Sequence, residues 1–276
     1  MGQLPLELAF EAETIIVSEI FGPTFQGEGR HIGVPCLFLR LGNCNLACDW
    51  CDTRYSWDWN SYDPKEQLNR STIQDVANEL DIMSYGIKTY SNNPNPIRYL
   101  VISGGEPMLQ QRKVVDLITT LSPYNDIDWT VEIETAGTIP LDINYWETHI
   151  GDSNHVRSPK VHFNISPKLL NSGLANKRIG SIVDSALLSY KDYTNQGNNY
   201  TSDFKFVVEK VNDLAEVGFL VDKFNIESDK VFIMPLGTSK EAIANVSGAI
   251  ADRVIQYGWR LTTRLHVLAW GDERGK

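Results

Sequence analysis

The chain has 276 residues, 42% of them hydrophobic, and a formal net charge of -10 at pH 7. This composition excludes a disordered or fibrous chain, and the acidic balance gives no electrostatic footprint for nucleic acid, so we expect a small-molecule partner. No apolar run approaches the roughly 20 residues of a membrane span. The first segment carries acids where a signal peptide needs basic residues, which favours a cytoplasmic protein.

Two short buried strands are predicted first, TIIVSEIF (14–21) and PCLFLRLG (35–42), with a glycine-rich turn between them. A helix follows over STIQDVANELDIM (71–83), with Ser71 or Thr72 as its N-cap. Strands are then predicted at YLVISGGEP (99–107), DWTVEIETAG (128–137), VHFNISPK (161–168), DFKFVVEK (203–210), KVFIMPLG (230–237) and RLTTRLHVLAWG (260–271). The helices between them are KVVDLITTL (113–121), VNDLAEVGFLVDKF (211–224) and SKEAIANVSGAIADRVIQYG (239–258).

This alternation of strand and helix favours one α/β domain over residues 1–276, with a mostly parallel sheet and crossover helices. The polar stretch YKDYTNQGNNYTSD predicts a surface insertion near 190–203. Ligands of such sheets bind at the carboxyl ends of the strands. The unusual motifs fall at those ends: the cysteines after the second strand, then Gly104-Gly105-Glu106, Glu134-Thr135 and Ser166-Pro167-Lys168.

Three of the four cysteines, Cys44, Cys48 and Cys51, form a C-x3-C-x2-C cluster. A structural zinc site normally has four ligands in two pairs, whereas a 4Fe–4S cluster held by three thiolates leaves one iron open to a ligand. Cys36 lies in an apolar strand and is interpreted as a core residue. If Cys36 were a fourth ligand, the site would close, and the protein would resemble a non-enzymatic iron–sulfur electron carrier.

The cysteine spacing, with Trp50 before the last cysteine, and the VISGGEP segment resemble the radical S-adenosylmethionine (SAM) superfamily. A longer series of motifs resembles the 7-carboxy-7-deazaguanine synthase (QueE) family nearly end to end. These motifs are EIFGPTFQGEG (19–29), GNCNLACDWCDT (42–53), VISGGEPMLQ (101–110), ETAGT (134–138), SPK (166–168), KFVV (205–208) and RLHVLAWGDERGK (264–276).

The resemblance implies an incomplete, modified TIM-like (β/α) barrel and a lyase that converts 6-carboxy-5,6,7,8-tetrahydropterin to 7-carboxy-7-deazaguanine with loss of ammonia. In the family, a 5′-deoxyadenosyl radical abstracts a substrate hydrogen and the ring contracts, in the queuosine type of deazapurine biosynthesis. It also implies a 4Fe–4S cluster, SAM, Mg²⁺, a homodimer, and a reductase, flavodoxin or ferredoxin as electron donor. Another radical SAM enzyme, an activase or one acting on a different pterin-like substrate, is the alternative.

By resemblance, the cluster ligands are Cys44, Cys48 and Cys51, and the Mg²⁺ ligand is Thr53. The SAM contacts implied are Trp50, Cys51, Asp52, Gly105, Ser166, Pro167, Lys168, Met234, Pro235, Leu236 and Gly237. The substrate contacts implied are Phe25, Gln26, Gly27, Arg40, Ser103 and Glu134. The chain departs from the family pattern at Met234, where Gln is frequent, and at Ala136, where Asn is common.

Structural alternatives exist for several of these assignments. Asp52 or Thr53 can cap a helix, and an Arg at position 40 can serve a structural ion pair. Glu134 shares a strand face with Glu132, so the two can form a structural carboxylate pair, and His266 can be a core residue. The remaining histidines, His31, His149, His155 and His162, show no ligand spacing and carry no functional prediction.

Overall fold

The structure is a computed structural model that describes residues 14–85, 96–121, 129–150, 159–177, 180–194 and 199–276. Within these residues nine strands form one sheet: β1 (Thr14–Phe25), β2 (Pro35–Leu41), β3 (Asn69–Thr72), β4 (Tyr99–Gly104), β5 (Thr130–Thr135), β6 (Lys160–Ile165), β7 (Tyr200–Val208), β8 (Val231–Pro235) and β9 (Arg260–Leu261). The α-helices are α1 (Pro64–Gln67), α2 (Ile73–Ser84), α3 (Gln111–Leu121), α4 (Ile143–His149), α5 (Asp184–Thr194), α6 (Asp213–Phe224), α7 (Lys240–Gln256) and α8 (Leu265–Trp270).

The strand order is β3-β1-β2-β4-β5-β6-β7-β8-β9. From β2 to β9 each neighbouring pair is parallel, whereas β1 runs antiparallel to both β2 and β3. In the described part of the chain the two edge strands, β3 and β9, do not pair with each other, so the barrel stays open. The prediction of an α/β fold with an incomplete TIM-like barrel is confirmed.

Alternation along the strands separates a hydrophobic outer layer from a polar interior. In β5, Val131 and Ile133 join the large core that the helices cover, while Glu132 and Glu134 face the opposite side of the sheet. Successive side chains of a strand point to opposite faces, so every second residue reaches the barrel interior. Polar residues placed at those positions therefore meet one another inside the barrel.

The predicted start of α2 is confirmed at Thr72. Its hydroxyl oxygen accepts a hydrogen bond from the backbone N–H of Asp75 at 3.1 Å, which satisfies one of the free donors of the first turn. Ile73, Val76 and Leu80 then recur at helical spacing and are buried. None of the described helices is long and apolar enough to cross a membrane.

The prediction of a terminal strand over 260–271 is wrong for most of its length. Only Arg260–Leu261 pair in the sheet, and Leu265–Trp270 form helix α8. The chain leaves the sheet because the backbone N–H of Leu265 donates to the carbonyl of Gly27 at 2.8 Å, and the helical bond from Leu268 N–H to the carbonyl of Arg264 follows. Over so few residues, apolar alternation does not separate strand from helix.

The segment near 190–203, predicted as a surface insertion, includes the end of one helix and the start of one strand. Helix α5 extends to Thr194 and strand β7 begins at Tyr200, while residues 195–198 lie outside the described part. Tyr190, Tyr193 and Tyr200 are buried, and the Tyr193 and Tyr200 rings lie 4.8 Å apart. The segment is polar in composition, but these three tyrosines pack its two ends against the core.

Candidate functional site

A cavity of about 790 Å³ lies at the carboxyl ends of the central strands. It collects almost all of the site residues predicted from the sequence: Phe25, Gln26, Arg40, Cys44, Cys48, Trp50, Cys51, Asp52, Thr53, Ser103, Gly105, Glu134, Ser166, Lys168, Met234, Pro235, Leu236 and Gly237. Gly27 and Pro167 are not among the lining residues. Segments separated by more than two hundred positions in the chain thus meet in one concave surface.

The three clustered cysteines lie in the loop that follows β2 and line one wall of the cavity. Cys48 is buried and Cys44 and Cys51 are partly exposed, with Leu46, Ala136 and Leu174 forming an apolar surround. Burial raises the pKa of the Cys44 thiol to about 12. A metal that binds there must displace the thiol protons, as metal ligation by cysteine does.

Two N–H groups point at the sulfur atoms. The indole Nε1–H of Trp57 donates to Cys51 Sγ at 3.2 Å, and the backbone N–H of Leu46 donates to Cys44 Sγ at 3.4 Å. Hydrogen bonds of this kind stabilise anionic sulfur and tune iron–sulfur clusters. Cys36, by contrast, is fully buried within β2 and does not line the cavity.

The glycines of the GGEP segment bring this loop against the cysteine loop. A Cβ on Gly105 would lie 2.1 Å from the carbonyl oxygen of Asn43, closer than any real contact. Backbone hydrogen bonds join the two loops, from Gly105 N–H to the carbonyl of Leu41 at 3.1 Å and from Glu106 N–H to the carbonyl of Asn43 at 2.9 Å. The missing side chain therefore serves contact between two parts of the protein, beside the first clustered cysteine.

Glu106 connects the GGEP segment to the end of β5. Its fully buried carboxylate accepts hydrogen bonds from Thr135 Oγ1 at 2.7 Å, Ala136 N–H at 2.8 Å and Met108 N–H at 3.0 Å. Burial raises the pKa of Glu106 above its ordinary value, and the three donors offset part of that increase. Glu106 belongs to the VISGGEP motif, but nothing in the sequence indicates that it joins this segment to β5.

Trp50 and Lys168, two residues with an expected SAM contact, are adjacent. The Lys168 ammonium lies 5.4 Å from the centre of the Trp50 ring and donates to Ser166 Oγ at 3.0 Å. The Trp50 indole N–H donates to the carbonyl of Asn171 at 3.1 Å. The loop after β6 thus fixes both the aromatic face and the cation beside the cysteines.

The carboxylate of Glu134 faces the cavity and is bound from two sides. Ser103 Oγ donates to one oxygen at 2.9 Å, and Gln26 Nε2 donates to the other at 3.2 Å. Gln26 also donates to Glu132 at 2.6 Å, and its own carbonyl oxygen accepts from Glu28 N–H at 3.1 Å. The amide of Gln26 is therefore held in one orientation, with Glu134 as the more accessible of the two carboxylates.

A buried chain of charges surrounds Glu28, which sequence reasoning did not assign. Lys205 Nζ lies 2.5 Å and Arg264 Nε 3.2 Å from its carboxylate oxygens. Burial by itself raises the pKa of Glu28, but the two cations outweigh burial and lower it well below its ordinary range. Arg264 also donates to Asp52 and to the carbonyl of Gly237 at 2.9 Å. One guanidinium thus joins three walls of the cavity.

Arg40 lies at the end of β2 and is paired with Glu19 at 2.6 Å, as the structural alternative expects. Glu19 also accepts from Tyr55 OH at 2.7 Å and from Arg274 Nε at 3.1 Å. Burial tends to raise the pKa of Glu19, but the charge of Arg40 and the hydrogen bonds lower it overall. Two cations share one carboxylate here, so positive charge remains on the cavity wall.

Thr53 occupies the N-cap position of a short 3-10 turn, Arg54–Ser56, but its side chain makes no capping hydrogen bond. The Thr53 hydroxyl lies 3.6 Å from Cys51 Sγ. Asp52 is drawn to Arg264 instead of capping that turn. The capping alternative therefore explains neither side chain, and both oxygens border the cavity.

His266 lines the cavity and packs on Gly27, where a Cβ would lie only 2.1 Å from its Nδ1. Burial lowers the pKa of His266 below its ordinary value, which favours the neutral imidazole at neutral pH. In the adjoining segment, Met234 is buried at the end of β8, and Gly237 lies against the start of α7. A core role alone does not account for a histidine placed here.

These residues fit the groups that the sequence implies. Three thiols on one wall, without a fourth cysteine among the lining residues, suit a 4Fe–4S cluster with one open iron. Asp52, Thr53 and the nearby cations offer oxygen ligands and charge for a hydrated Mg²⁺ and an anionic substrate group.

Comparison with known proteins supports the 4Fe–4S cluster. Residues 25–131 match the family model described as a 4Fe-4S single cluster domain. The 7-carboxy-7-deazaguanine synthase of Pyrobaculum aerophilum is 31% identical over 261 residues, covering 94% of this chain and 96% of that protein. The enzyme of the same name from Buchnera aphidicola is 28% identical over 261 residues, covering 91% of this chain and 95% of that protein. The crystal structure of QueE from Escherichia coli shares the fold, with a TM-score of 0.58, 22% identity and coverage of 92% and 95%.

Proposed function

The chain belongs to the 7-carboxy-7-deazaguanine synthase family, and from that premise we propose that it converts 6-carboxy-5,6,7,8-tetrahydropterin to 7-carboxy-7-deazaguanine with loss of ammonia. The observation that carries the proposal is the meeting of three cysteines with an amide, a carboxylate and a guanidinium in one cavity. Cysteines alone would serve electron transfer, whereas the polar groups opposite them provide a binding surface for a heterocycle with an acidic substituent.

Cys44, Cys48 and Cys51 hold the 4Fe–4S cluster in this proposal, and Trp50 and Gly105 border the SAM position. The further SAM contacts proposed are Asp52, Ser166, Pro167, Lys168, Met234, Pro235, Leu236 and Gly237. When bound, cluster and SAM together supply a carbon-centred radical able to abstract an unactivated hydrogen, a step that acid–base groups cannot start. The protein contributes orientation and exclusion of water.

The substrate lies against Phe25, Gln26 and Gly27 and against Ser103 and Glu134, which adjoin Gln26 through their hydrogen bonds. Glu134 accepts N–H donors of the pterin. The carbonyl oxygen of Gln26 offers a further acceptor to the same heterocycle edge, because both amide N–H groups already donate to Glu132 and Glu134. Neutral His266 reaches the same cavity as a neutral donor or acceptor. These polar groups are already oriented by protein contacts, which reduces the entropy that binding must overcome.

Arg40 binds the substrate carboxylate in this proposal. Its pairing with Glu19 is compatible with that role, because Arg274 also bonds Glu19 and can retain that carboxylate when Arg40 turns towards substrate. Thr53 holds Mg²⁺, which needs few protein oxygens because it keeps several waters. Bound at Thr53, Mg²⁺ would supply positive charge to the same substrate carboxylate.

We also propose that the chain forms one domain, acts as a homodimer in the cytoplasm, and receives electrons from a reductase, flavodoxin or ferredoxin. A basic surface for nucleic acid is not expected, given the net charge of -10. These assignments follow from the family and from composition.

Anaerobic reconstitution tests the reaction. Protein with iron and sulfide restored, supplied with SAM, a reductant, Mg²⁺ and the carboxytetrahydropterin, is expected to release the carboxydeazaguanine, detected by mass spectrometry. An intact cluster without product refutes the proposed substrate, and screening of other pterin-like compounds then identifies a different radical SAM enzyme. If Cys36→Ala abolishes the cluster and SAM leaves its spectrum unchanged, the electron-carrier alternative holds instead.

A further inference from the structure

A second group of metal-ligating side chains lies inside the barrel, away from the cysteines. One ring nitrogen each of His31 and His162 and a carboxylate oxygen of Glu132 lie within 4.8 Å of one another. None of the three lines the cavity of the proposed active site. Glu132 precedes the cavity residue Glu134 by two positions on β5, so the group lies one layer deeper, beneath the substrate surface.

The parallel sheet sets this group in place. Glu132 of β5 is the register partner of His162 in β6, and His162 is the register partner of Thr201 in β7. The ring atom Nδ1 of His162 lies 2.8 Å from Thr201 Oγ1, which leaves Nε2 to face the interior. This hydrogen bond fixes the orientation of the His162 ring through one nitrogen, as outer hydrogen bonds do for metal-ligating histidines. His31 reaches the group from the turn after β1.

The charge balance around Glu132 provides an independent argument. Glu132 is fully buried and accepts hydrogen bonds from Gln26 at 2.6 Å, Tyr99 at 2.6 Å, His31 at 2.9 Å and Asn164 at 2.9 Å. Within the described residues no lysine or arginine pairs with it, whereas Glu28 pairs with Lys205 and Arg264 and Asp203 pairs with Arg30. A buried carboxylate without a cationic partner is costly.

Two further oxygens border the group. Asp203 Oδ2 lies 3.3 Å from His162 Nε2. The side-chain oxygen of Asn164 is buried without a hydrogen-bond partner among the described residues, although its amide nitrogen donates to Glu132. A cation near the imidazoles would be attracted by both carboxylates and could use this free oxygen.

We propose that His31, Glu132 and His162 bind one divalent transition-metal ion, with Zn²⁺ the best match. Two imidazoles and a carboxylate are a donor set that zinc accepts, with water in the fourth position, and a hard Mg²⁺ ion disfavours. Binding requires the hydrogen bond between His31 and Glu132 to be replaced by two metal–ligand bonds, and a neutral His31 that ligates through Nδ1 carries its proton on Nε2. The His31 side chain is 28% exposed, which provides a route of entry.

This ion has a structural role, and it lies beneath the surface proposed to contact substrate. Gln26 is bonded both to Glu132 and to Glu134, so an ion that fixes Glu132 also fixes the turn proposed to contact substrate. The proposal stands on its own ligands, and it does not require the proposed reaction to be correct.

Metal analysis tests the proposal once the three clustered cysteines, which would also bind zinc, are replaced. The variant Cys44→Ala/Cys48→Ala/Cys51→Ala, expressed with added zinc, should retain about one zinc per chain after gel filtration. Adding His31→Gln should reduce zinc to background, whereas adding His149→Gln, which changes an exposed histidine of α4, should leave zinc unchanged. Absence of zinc from the triple variant overturns the proposal.

A spectroscopic arm covers the case in which His31→Gln folds poorly. Cobalt(II) added to the metal-free triple variant should give visible d–d bands of a nitrogen–oxygen site, saturating near one equivalent, and zinc should displace them. No such bands, or bands that persist unchanged in a folded His31→Gln variant, overturn the proposal. Either result leaves product formation by the reconstituted enzyme to be judged separately.

Discussion

Replacement of Arg264 by methionine tests whether the buried charge chain holds the site together. Arg264 pairs with Glu28 and Asp52 and donates to the carbonyl of Gly237, with only 8% of its side chain exposed. Methionine fills similar space but removes the cation, which leaves Lys205 as the one cationic partner of Glu28 among the described residues. Removing one member of a buried ion pair costs about 3–5 kcal/mol.

That cost converts to a measurable shift. With a urea m-value of about 3 kcal/mol/M for a chain of this size, Arg264→Met should lower the unfolding midpoint by roughly 1 M or more. The assay is urea unfolding of cluster-free, reduced protein followed by circular dichroism, so that the cluster does not contribute. Lys205→Met should act in the same direction, since it removes the other cation of Glu28.

The matched control is Arg112→Met. Arg112 makes two hydrogen bonds to Asp142 on the surface, and two-thirds of its side chain is exposed, so water and salt replace most of that interaction. We expect its urea midpoint to stay close to that of the unsubstituted protein. If Arg264→Met lowers the midpoint no more than Arg112→Met, the buried charge chain does not stabilise the fold and the reasoning is refuted.

Three further predictions concern the cysteine loop and acid stability. Gly105→Ala places a methyl group 2.1 Å from the backbone oxygen of Asn43 in the cysteine loop. The iron and sulfide content per chain should therefore fall by more than half after reconstitution. The control Gly248→Ala, which has open space around the added methyl group, should bind iron and sulfide normally. Cys36→Ala should retain full iron content, unlike replacement of any clustered cysteine; loss of iron would place Cys36 among the ligands. Burial raises the pKa of Glu19, but Arg40 and the hydrogen bonds outweigh burial, so the pKa is lowered overall. The Glu19 carboxylate therefore stabilises the fold above its ordinary pKa of 4.5, and this contribution is lost as pH falls through the lowered pKa. Glu19→Gln should therefore flatten the decline in unfolding free energy below pH 4.5, and an unchanged slope would contradict this.

The parallel core of the sheet could be predicted because its strands are apolar, short and separated by helical patterns. The strands that differ are those whose partners are set by long-range contacts. Asn69–Thr72 form β3 with four polar residues, and only pairing with β1 makes them a strand. Leu265–Trp270 were predicted as strand because the apolar residues near the end of the chain fit both periods.

The site could be located from motifs, but the interactions among its residues could not. Glu28, Lys205 and Arg264 lie within motifs that mark the family, yet no spacing in the sequence shows that they share one charge chain. His31, Glu132 and His162 gave no ligand spacing because a parallel register, which periodicity does not fix, brings them together. The motifs were enough to predict the function, whereas the contacts between residues of different motifs became visible only in the folded structure.

The turn at Gly27–Gly29 meets the segment after β9 through two hydrogen bonds, Gly29 N–H to Thr262 Oγ1 at 3.0 Å and Leu265 N–H to the Gly27 carbonyl at 2.8 Å. The first of these joins residues 233 positions apart. At roughly 5–20 residues per second, a ribosome needs on the order of 10–50 s to make the intervening chain. The cysteine loop is therefore complete well before the segment after β9 leaves the ribosome. This part of the site can assemble only when synthesis is nearly finished, because both hydrogen bonds need residues from the two ends of the chain.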